Sequence, residues 1–194
     1  MTWQILDQVQ TKNVVEQVRS AGLGELFSSP ASEGRVMRLP FYRNGQIYRL
    51  TNYATLPAFS LYYLGNGDNY MYLDGGVQPI DAYNKNDNLI LNEQTVLPYL
   101  DFFLTFVTLD VGEIRMTGDR DLDGLLKEYP EKATVRHDSA RNIYSVETPL
   151  YYDGSLMKGT IEITSNGIVQ IVNTEMHMHG VEESLETHSS DTYI

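Results

Sequence analysis

The sequence predicts an α+β fold: a curved antiparallel sheet of about six or seven strands, wrapped on a central apolar helix in a cone-like arrangement, with an N-terminal helix. Three observations predict it. Residues 95–110 form the most apolar run of the chain, segments with alternating apolar residues precede and follow this run, and glycine-containing turn motifs separate those segments. A cone of this kind leaves a mouth between helix and sheet, where small-ligand pockets commonly form.

The apolar run has the spacing of a helix that is apolar on nearly every side. Its polar residues form only a narrow stripe: Asp101, Thr105 and Thr108. A membrane span is excluded because the run is shorter than the roughly 20 apolar residues required and contains Pro98 and Asp101. We expect the helix to start near Glu93 with a bend at Pro98. A start capped by Thr95 is the alternative, since proline is harmless in a first turn.

Length and composition predict a single domain over residues 1–180, followed by an acidic, mobile tail over residues 181–194. The net charge of -12 disfavours nucleic acid and anionic membranes as partners, because both carry negative charge. The chain has no cysteine, which excludes disulfides and thiolate metal sites. Its first residues lack the pattern of a secretion signal, so we expect a cytoplasmic protein.

The chain opens with a predicted helix over residues 2–27, which has a capping-box pattern at residues 13–16. A β-hairpin follows, with its strands flanking residues 43–46 and Asn-Gly at the turn. This register predicts two cross-strand pairs on one face, Leu39 with Leu50 and Phe41 with Tyr48.

A second hairpin is predicted around residues 65–68, with Tyr63 opposite Tyr70 and Leu61 opposite Tyr72. Seven of the 14 tyrosines lie between residues 42 and 72, which singles out these hairpins. Tyrosine suits a half-buried pleated surface, the commoner role, and also suits a binding face, because it joins an apolar ring to a polar tip. Four side chains are therefore candidate ligand-binding residues: Tyr62, Tyr63, Tyr70 and Tyr72.

The later chain repeats the hairpin pattern. A polar connection over residues 75–92 is predicted to carry a short turn at residues 80–84, and a short strand (GEIRMT) and a short helix follow the apolar run. The segments IYSVETPLYY, SLMKGTIEIT and IVQIVNTEMHM are the last strands. A three-residue turn ending at Gly167 places Ile163 opposite Val169 and Ile161 opposite Ile171.

The C-terminal strand carries the most specific chemical pattern in the chain. If it continues unbroken past Ile171, one face carries Glu175, His177 and His179, whose carboxylate and imidazole groups suit a Zn²⁺, Ni²⁺ or Fe²⁺ site. A metal there could activate water, with Glu175 as ligand or base. One bulge would instead turn the intervening methionines inward and leave the histidines in solvent.

A second candidate cation site lies at Asp119, Asp121 and Asp123, which with Gly124 match the opening of an EF-hand calcium loop. The match fails at the twelfth position, where Pro130 replaces the expected glutamate. The alternative is a helix start that is rich in aspartate because carboxylates cap helix N-termini.

The chain has no glycine-rich phosphate loop, no G-x-S-x-G elbow and no H-E-x-x-H helix. We therefore expect a noncatalytic module that binds a small molecule or a protein through the cone mouth and the tyrosine-rich hairpins. The alternative is a metal-dependent enzyme or metal binder at Glu175, His177 and His179. The sequence indicates no particular cofactor, and a helix that is apolar on nearly every side is also consistent with a homodimer.

Overall fold

The computed structural model describes residues 2–20, 23–86, 89–109, 112, 114–116, 132–152 and 155–178, with residues 177–178 described by their backbone alone. Contacts between Cα atoms divide the chain into two compact units, residues 1–90 and residues 91–194. Each unit contains an antiparallel sheet and at least one helix, so the predicted α+β class is confirmed. The single domain predicted over residues 1–180 stays a prediction.

The first unit is built on a five-stranded antiparallel sheet in which strands that follow each other in the chain are neighbours. Within its described residues, two α-helices complete it, α1 (Gln8–Val18) before the second strand and α2 (Gln78–Asn86) after the fifth. Two short 3-10 helices, Gly24–Leu26 and Ser29–Ala31, lie between α1 and β2. The strands are β1 (Gln4–Ile5), β2 (Ser32–Arg38), β3 (Gln46–Asn52), β4 (Phe59–Gly65) and β5 (Tyr70–Tyr72).

Helix α1 is shorter than the helix predicted over residues 2–27. Asp7 is its N-cap: the Asp7 Oδ1 accepts from the backbone N–H of Gln10 at 2.8 Å, and the Gln10 Oε1 accepts from the N–H of Asp7 at 3.0 Å. The capping box predicted at residues 13–16 is wrong, because this reciprocal pair starts the helix earlier. Residues 4–5 are extended and pair with β2, so helix cannot extend to the start of the chain.

One face of the first sheet packs against α1. The side chains that α1 buries recur three or four positions apart, as an amphipathic helix requires: Thr11, Val14, Val15 and Val18. The three valines share one core with Phe27 and with buried residues of the strands: Val36, Tyr48, Leu50 and Tyr63. Burial of this apolar area holds the helix on the sheet.

The first predicted hairpin forms, but with a different register. Strand β2 pairs with β3 so that Val36 lies opposite Tyr48 and Gly34 opposite Leu50, and the predicted pairs of Leu39 and Phe41 are wrong. Both residues lie in the connection between the strands and are fully buried there. Pro40 between them has no N–H to donate to a ladder, which explains why β2 stops before it.

The second hairpin also differs from the predicted register. Tyr63 lies opposite Tyr72, and Gly65 lies opposite Tyr70, so the predicted pair of Tyr63 with Tyr70 is wrong. The side chain of Asn66 starts the turn, because its Oδ1 accepts from the backbone N–H of Asp68 at 3.1 Å and of Asn69 at 3.0 Å. The connection therefore runs over residues 66–69, one position later than predicted.

The second unit holds another five-stranded antiparallel sheet. Its strands are β6 (Arg115–Met116), β7 (Thr134–Asp138), β8 (Ile143–Tyr152), β9 (Ser155–Thr164) and β10 (Val169–Met178). The order is β10-β9-β8-β6, and β7 pairs with the first half of β8. The prediction of one sheet with about six or seven strands is wrong, since the strands divide between two sheets. The predicted short strand in GEIRMT and the last three predicted strands are confirmed.

The apolar run forms helix α3 (Val96–Phe106), with buried residues around most of its circumference. Asp101, Thr105 and Thr108 are exposed, so the predicted polar stripe is confirmed. Thr95 is the N-cap position, which makes the predicted start near Glu93 wrong and places Pro98 in the first turn, where it is tolerated. Within the described residues, no helix is both long enough and apolar enough to cross a membrane.

The last hairpin has the predicted register. Ile163 lies opposite Val169 and Ile161 opposite Ile171, and Gly167 has a φ of 86°, which is the left-handed conformation that the turn requires. The turn predicted at residues 80–84 lies inside α2.

Three predictions fall on residues outside those that the structure describes. They are the calcium-loop candidate at Asp119, Asp121 and Asp123 with the short helix there, the acidic tail over residues 181–194, and the side chains of His177 and His179.

Candidate functional site

The four candidate tyrosines do not form one continuous exposed surface. Tyr63 is fully buried, whereas Tyr62, Tyr70 and Tyr72 are half-buried. Since side chains alternate along a strand, Tyr62 lies on the opposite face of the sheet from Tyr63. The structure therefore brings Tyr63, Tyr70 and Tyr72 together on the face that packs against α1, and places Tyr62 apart from them.

Aromatic contacts hold this tyrosine group in a fixed arrangement. The rings of Tyr48 and Tyr70 meet edge to face with their centroids 4.9 Å apart, and those of Tyr63 and Tyr72 are 5.6 Å apart. The Tyr48 hydroxyl donates to Gln46 Oε1 at 2.5 Å, and the Tyr70 hydroxyl donates to the carbonyl of Gly67 at 3.2 Å. The rings are thus held by contacts within the protein.

Burial raises the pKa of three of these phenols, Tyr48, Tyr63 and Tyr70. It raises the pKa of Tyr63 to about 12, with a smaller contribution from Tyr72. Burial also raises the pKa of Tyr70, to which Tyr48 and the carboxylate of Asp68 add. The pKa of Tyr48 is raised by burial as well, and the neighbouring Tyr70 hydroxyl offsets part of that rise. At neutral pH the group offers hydroxyls and rings rather than phenolates.

A cleft of about 440 Å³ opens beside Tyr70, and all the residues that line it belong to the first unit. We call it the polar cleft. Its first wall is the β4–β5 turn, which contributes Asn66, Asp68 and Asn69. Asn66 is already engaged in the hydrogen bonds that form the turn. Asp68 and Asn69 are exposed, so they remain accessible from the cleft.

The other walls of the polar cleft come from the two helices of the unit. The end of α1 and the residues after it contribute Gln17 and Ser20, and the second half of α2 contributes Tyr83 and Asn86. Tyr70 and Met71 complete the lining. The site thus combines amides on three separate elements with aromatic and thioether surface.

The amides of the polar cleft have spare hydrogen-bonding capacity. Across the part of the chain that the structure describes, the side chains of Gln17, Asn69 and Asn86 make no hydrogen bond. Each carboxamide can donate two hydrogen bonds and accept two. These groups are therefore solvated and can exchange water for a ligand.

The polar cleft carries little charge. Asp68 is the one charged residue among the described residues that line it. The unit around it is nearly neutral, since residues 1–90 hold seven Lys and Arg against eight Asp and Glu. The site therefore has no strong field that would attract a highly charged ligand.

The predicted metal site lies on β10, and that strand is not unbroken. Its pairing with β9 shifts register between Ile171 and Asn173 and again between Met176 and Met178, which makes Val172 and His177 the extra residues of two bulges. Glu175 is exposed, and its Oε1 accepts a hydrogen bond from the Asn173 Nδ2 at 3.4 Å. Among the described residues, no group of three or more metal-ligating side chains is close enough to hold an ion.

Sequence reasoning found part of the polar cleft and missed the rest. It singled out the second hairpin, which supplies Tyr70, and the turn predicted at residues 65–68 ends one residue before Asn69. It gave no role to Gln17, Ser20 or Asn86. These are ordinary polar residues at the ends of helices, and only the packing of α1 and α2 brings them to one place.

Comparison of the chain with protein-family models, with curated proteins and with solved structures gives no match.

Proposed function

We propose that this protein is a noncatalytic binding module and that the polar cleft of its first unit takes a small polar ligand. The observation that carries the proposal is the convergence of Gln17, Asn69 and Asn86, from three different elements, on a cleft of about 440 Å³. Small-molecule sites typically have volumes of roughly 300–1,000 Å³ and a few convergent polar groups.

The fixed tyrosine group beside the polar cleft supports this proposal. Tyr70 lines the cleft, contacts Tyr48 edge to face, and has its hydroxyl bonded to Gly67. A wall that is already ordered loses little conformational entropy when a ligand binds. The tyrosine-rich hairpin thus has a role as a rigid wall of the site rather than as a broad exposed surface.

The side chains of the polar cleft favour binding over catalysis. Its described lining contains one carboxylate, Asp68, and no histidine, lysine or arginine. General acid–base catalysis needs a donor and an acceptor whose pKa values lie near the operating pH. Burial raises the pKa of Tyr70 and so moves it further from neutral pH. The groups present can hold and orient a ligand.

Ligand-observed NMR with a chemically diverse library of small neutral, cationic and anionic polar compounds tests the proposal. We expect some compounds to bind, and we expect their binding to weaken in a double variant, Asn69→Ala with Asn86→Ala. Asn44→Ala is the matched control, because Asn44 is an exposed amide of the same unit that does not line the cleft. A library without ligands, or ligands that bind the double variant as well as the wild type, would contradict the proposal.

A metal-dependent activity at Glu175, His177 and His179 is the second proposal. It rests on the sequence pattern that places Glu175 two positions before His177, and the bulge at His177 does not support it. Elemental analysis after incubation with zinc, for the wild type and for His177→Ala, tests it. Metal that is retained by the wild type and lost in the variant would support a site, and a metal-free wild type would end the idea.

The finer parts of the sequence-based account stay proposals of the same kind. They are a sheet that curves around α3 with a ligand pocket at the cone mouth, a protein partner or a second copy on an apolar surface, and a location in the cytoplasm. Analytical ultracentrifugation at micromolar concentration tests the homodimer, which a monomer would exclude.

A further inference from the structure

The hydrogen-bonding groups of the polar cleft are mixed in type. Gln17, Asn69 and Asn86 each offer two N–H donors and a carbonyl acceptor, and the hydroxyl of Ser20, which donates to the Gln17 carbonyl at 3.3 Å, can accept. A ligand that only donates or only accepts would leave about half of these groups without partners. Groups desolvated without a partner cost roughly 1–3 kcal/mol each, so the best ligand both donates and accepts.

The charge of the polar cleft argues against an anionic ligand. A carboxylate or phosphate group would lie near the Asp68 carboxylate, and no arginine or lysine is among the described residues of the lining. Anions are normally held by such cations or by helix N-termini. Here the helix residues that line the cleft come from the last turn of α1 and the second half of α2, where the helix dipole is negative.

An ammonium ligand fits one part of the polar cleft and not the rest. It would pair with Asp68 and with amide carbonyls, but it accepts no hydrogen bond, so the N–H groups of three amides would remain unsatisfied. A hydroxyl group donates and accepts at once. Several neighbouring hydroxyls on one small ring would therefore match the amides on the three walls better than a cation does.

The apolar part of the lining completes the match. Tyr70, Met71 and Tyr83 supply aromatic and thioether surface beside the amides. A pyranose ring has C–H groups as well as hydroxyls, and it can place both against a wall of this mixed composition. We propose that the ligand of the polar cleft is an uncharged, hydroxyl-rich small molecule of the carbohydrate class. This inference rests on the proposed function of the polar cleft.

Isothermal titration calorimetry with neutral sugars and with charged derivatives of D-glucose tests the inference. The neutral probes are D-glucose, D-galactose, D-mannose, N-acetyl-D-glucosamine and their common disaccharides. The charged probes are D-glucuronate and protonated D-glucosamine. We expect at least one neutral sugar to bind, and we expect D-glucuronate and protonated D-glucosamine to bind more weakly than that sugar.

Single variants show whether the sugar binds in the polar cleft, and they are chosen at exposed positions so that the protein still folds. Asn69→Ala and Asn86→Ala should each weaken sugar binding by about tenfold, the usual effect of losing one hydrogen-bonded contact. Asn44→Ala should leave the affinity unchanged. Both target residues are exposed, so circular dichroism of the variants should match the wild type.

Each outcome is decisive. Neutral sugars that bind more tightly than their charged derivatives and lose affinity in both cleft variants would support the inference. A charged derivative that binds the cleft more tightly than its parent sugar would overturn the carbohydrate class and leave the proposed ligand site intact. The same holds if a library compound binds the cleft and no neutral sugar does. If neither sugars nor library compounds bind, the proposed function fails as well.

Discussion

The second sheet and the polar cleft of the first unit use their exposed polar side chains in opposite ways. On the second sheet, Arg141 donates to both carboxylate oxygens of Glu162, at 3.1 and 3.2 Å. Glu147 lies 3.9 Å from Arg136 and 3.8 Å from Lys158. In the polar cleft of the first unit, three amides make no hydrogen bond within the described residues. Side chains that pair with each other stabilise a surface, whereas unpaired ones remain available to a ligand.

The two units also differ in net charge. Residues 1–90 carry seven basic and eight acidic residues, and residues 91–194 carry seven and 18. The acidity of the chain thus belongs to the second unit, where it favours solubility and repels anionic partners. The first unit has no such bias, so at the proposed site hydrogen bonding and shape would select the ligand.

The largest expected effect would show whether both units depend on an apolar core. Leu50 in the first unit and Leu100 in the second are fully buried, so Leu50→Ala and Leu100→Ala should each lower the free energy of unfolding by about 2–5 kcal/mol. Urea denaturation measures this. Leu56→Ala is the control, because Leu56 is 99% exposed and its loss should cost less than about 0.5 kcal/mol. A value below about 1 kcal/mol for one buried leucine would contradict the core position of that residue.

The pH dependence of unfolding tests whether the tyrosine group of the first unit is buried. Burial raises the pKa of Tyr63 to about 12, while an unfolded tyrosine ionises near pH 10, so ionisation favours the unfolded chain as the pH rises above 10. The contribution of the Tyr63 phenol to the free energy of unfolding should therefore be constant below about pH 10. It should fall by roughly 2–3 kcal/mol between about pH 10 and about pH 12.

Tyr63→Phe is the matched variant for this measurement. It removes the phenol, so the difference between the stabilities of wild type and variant should change over the same pH window. Chemical denaturation of both proteins at several pH values checks this. Parallel stability curves from pH 9 to about pH 12 would show that the Tyr63 hydroxyl is not buried.

A smaller effect concerns the helix that supplies one wall of the polar cleft. Asp7→Ala removes the N-cap of α1 and should cost about 1 kcal/mol, within the usual range of roughly 0.5–2 kcal/mol. Asp7→Asn keeps a capping oxygen and should restore most of the stability. Thermal unfolding followed by circular dichroism measures both. Equal losses in the two variants would show that the carboxylate acts in some other way.

The smallest expected effect lies on the second sheet. A double-mutant cycle on Arg141 and Glu162 should give a coupling of about 0.2–1 kcal/mol, because exposed ion pairs gain little in water. The coupling should fall when salt is added, since screening weakens it. A coupling above about 2 kcal/mol that is insensitive to salt would mean that this pair is more than a solvated surface contact.

The sequence predicted the elements better than their pairing. Residues 96–106 form the expected apolar helix because its pattern repeats over three turns, and the last hairpin has the expected register because Gly167 and the flanking β-branched residues specify it together. The first two hairpins failed because Leu39 and Phe41 are buried within a connection and because Asn66 starts its turn one residue later. Strand β7 was missed because four of its five residues are exposed, which leaves no alternation to detect.

The candidate site was harder to predict than the fold, for a physical reason. A core residue is marked by its apolar side chain and its spacing, but a hydrophilic residue such as Gln17 or Asn86 looks the same whether it meets solvent or a ligand. Only tertiary packing brings those amides together beside Tyr70. The histidine-bearing strand shows the converse, since a clear sequence pattern was interrupted by two bulges.

The central claim, that the ligand site lies in the first unit, can be tested with ¹³C-labelled methionine methyl groups. Met71 lines the polar cleft, whereas Met157 and Met176 belong to strands of the second sheet and serve as internal controls. Titration with a binding sugar, or with a library compound that binds, should shift the Met71 methyl resonance in proportion to occupancy and leave those of Met157 and Met176 in place. A ligand that shifts Met157 or Met176 and leaves Met71 unmoved would contradict the account.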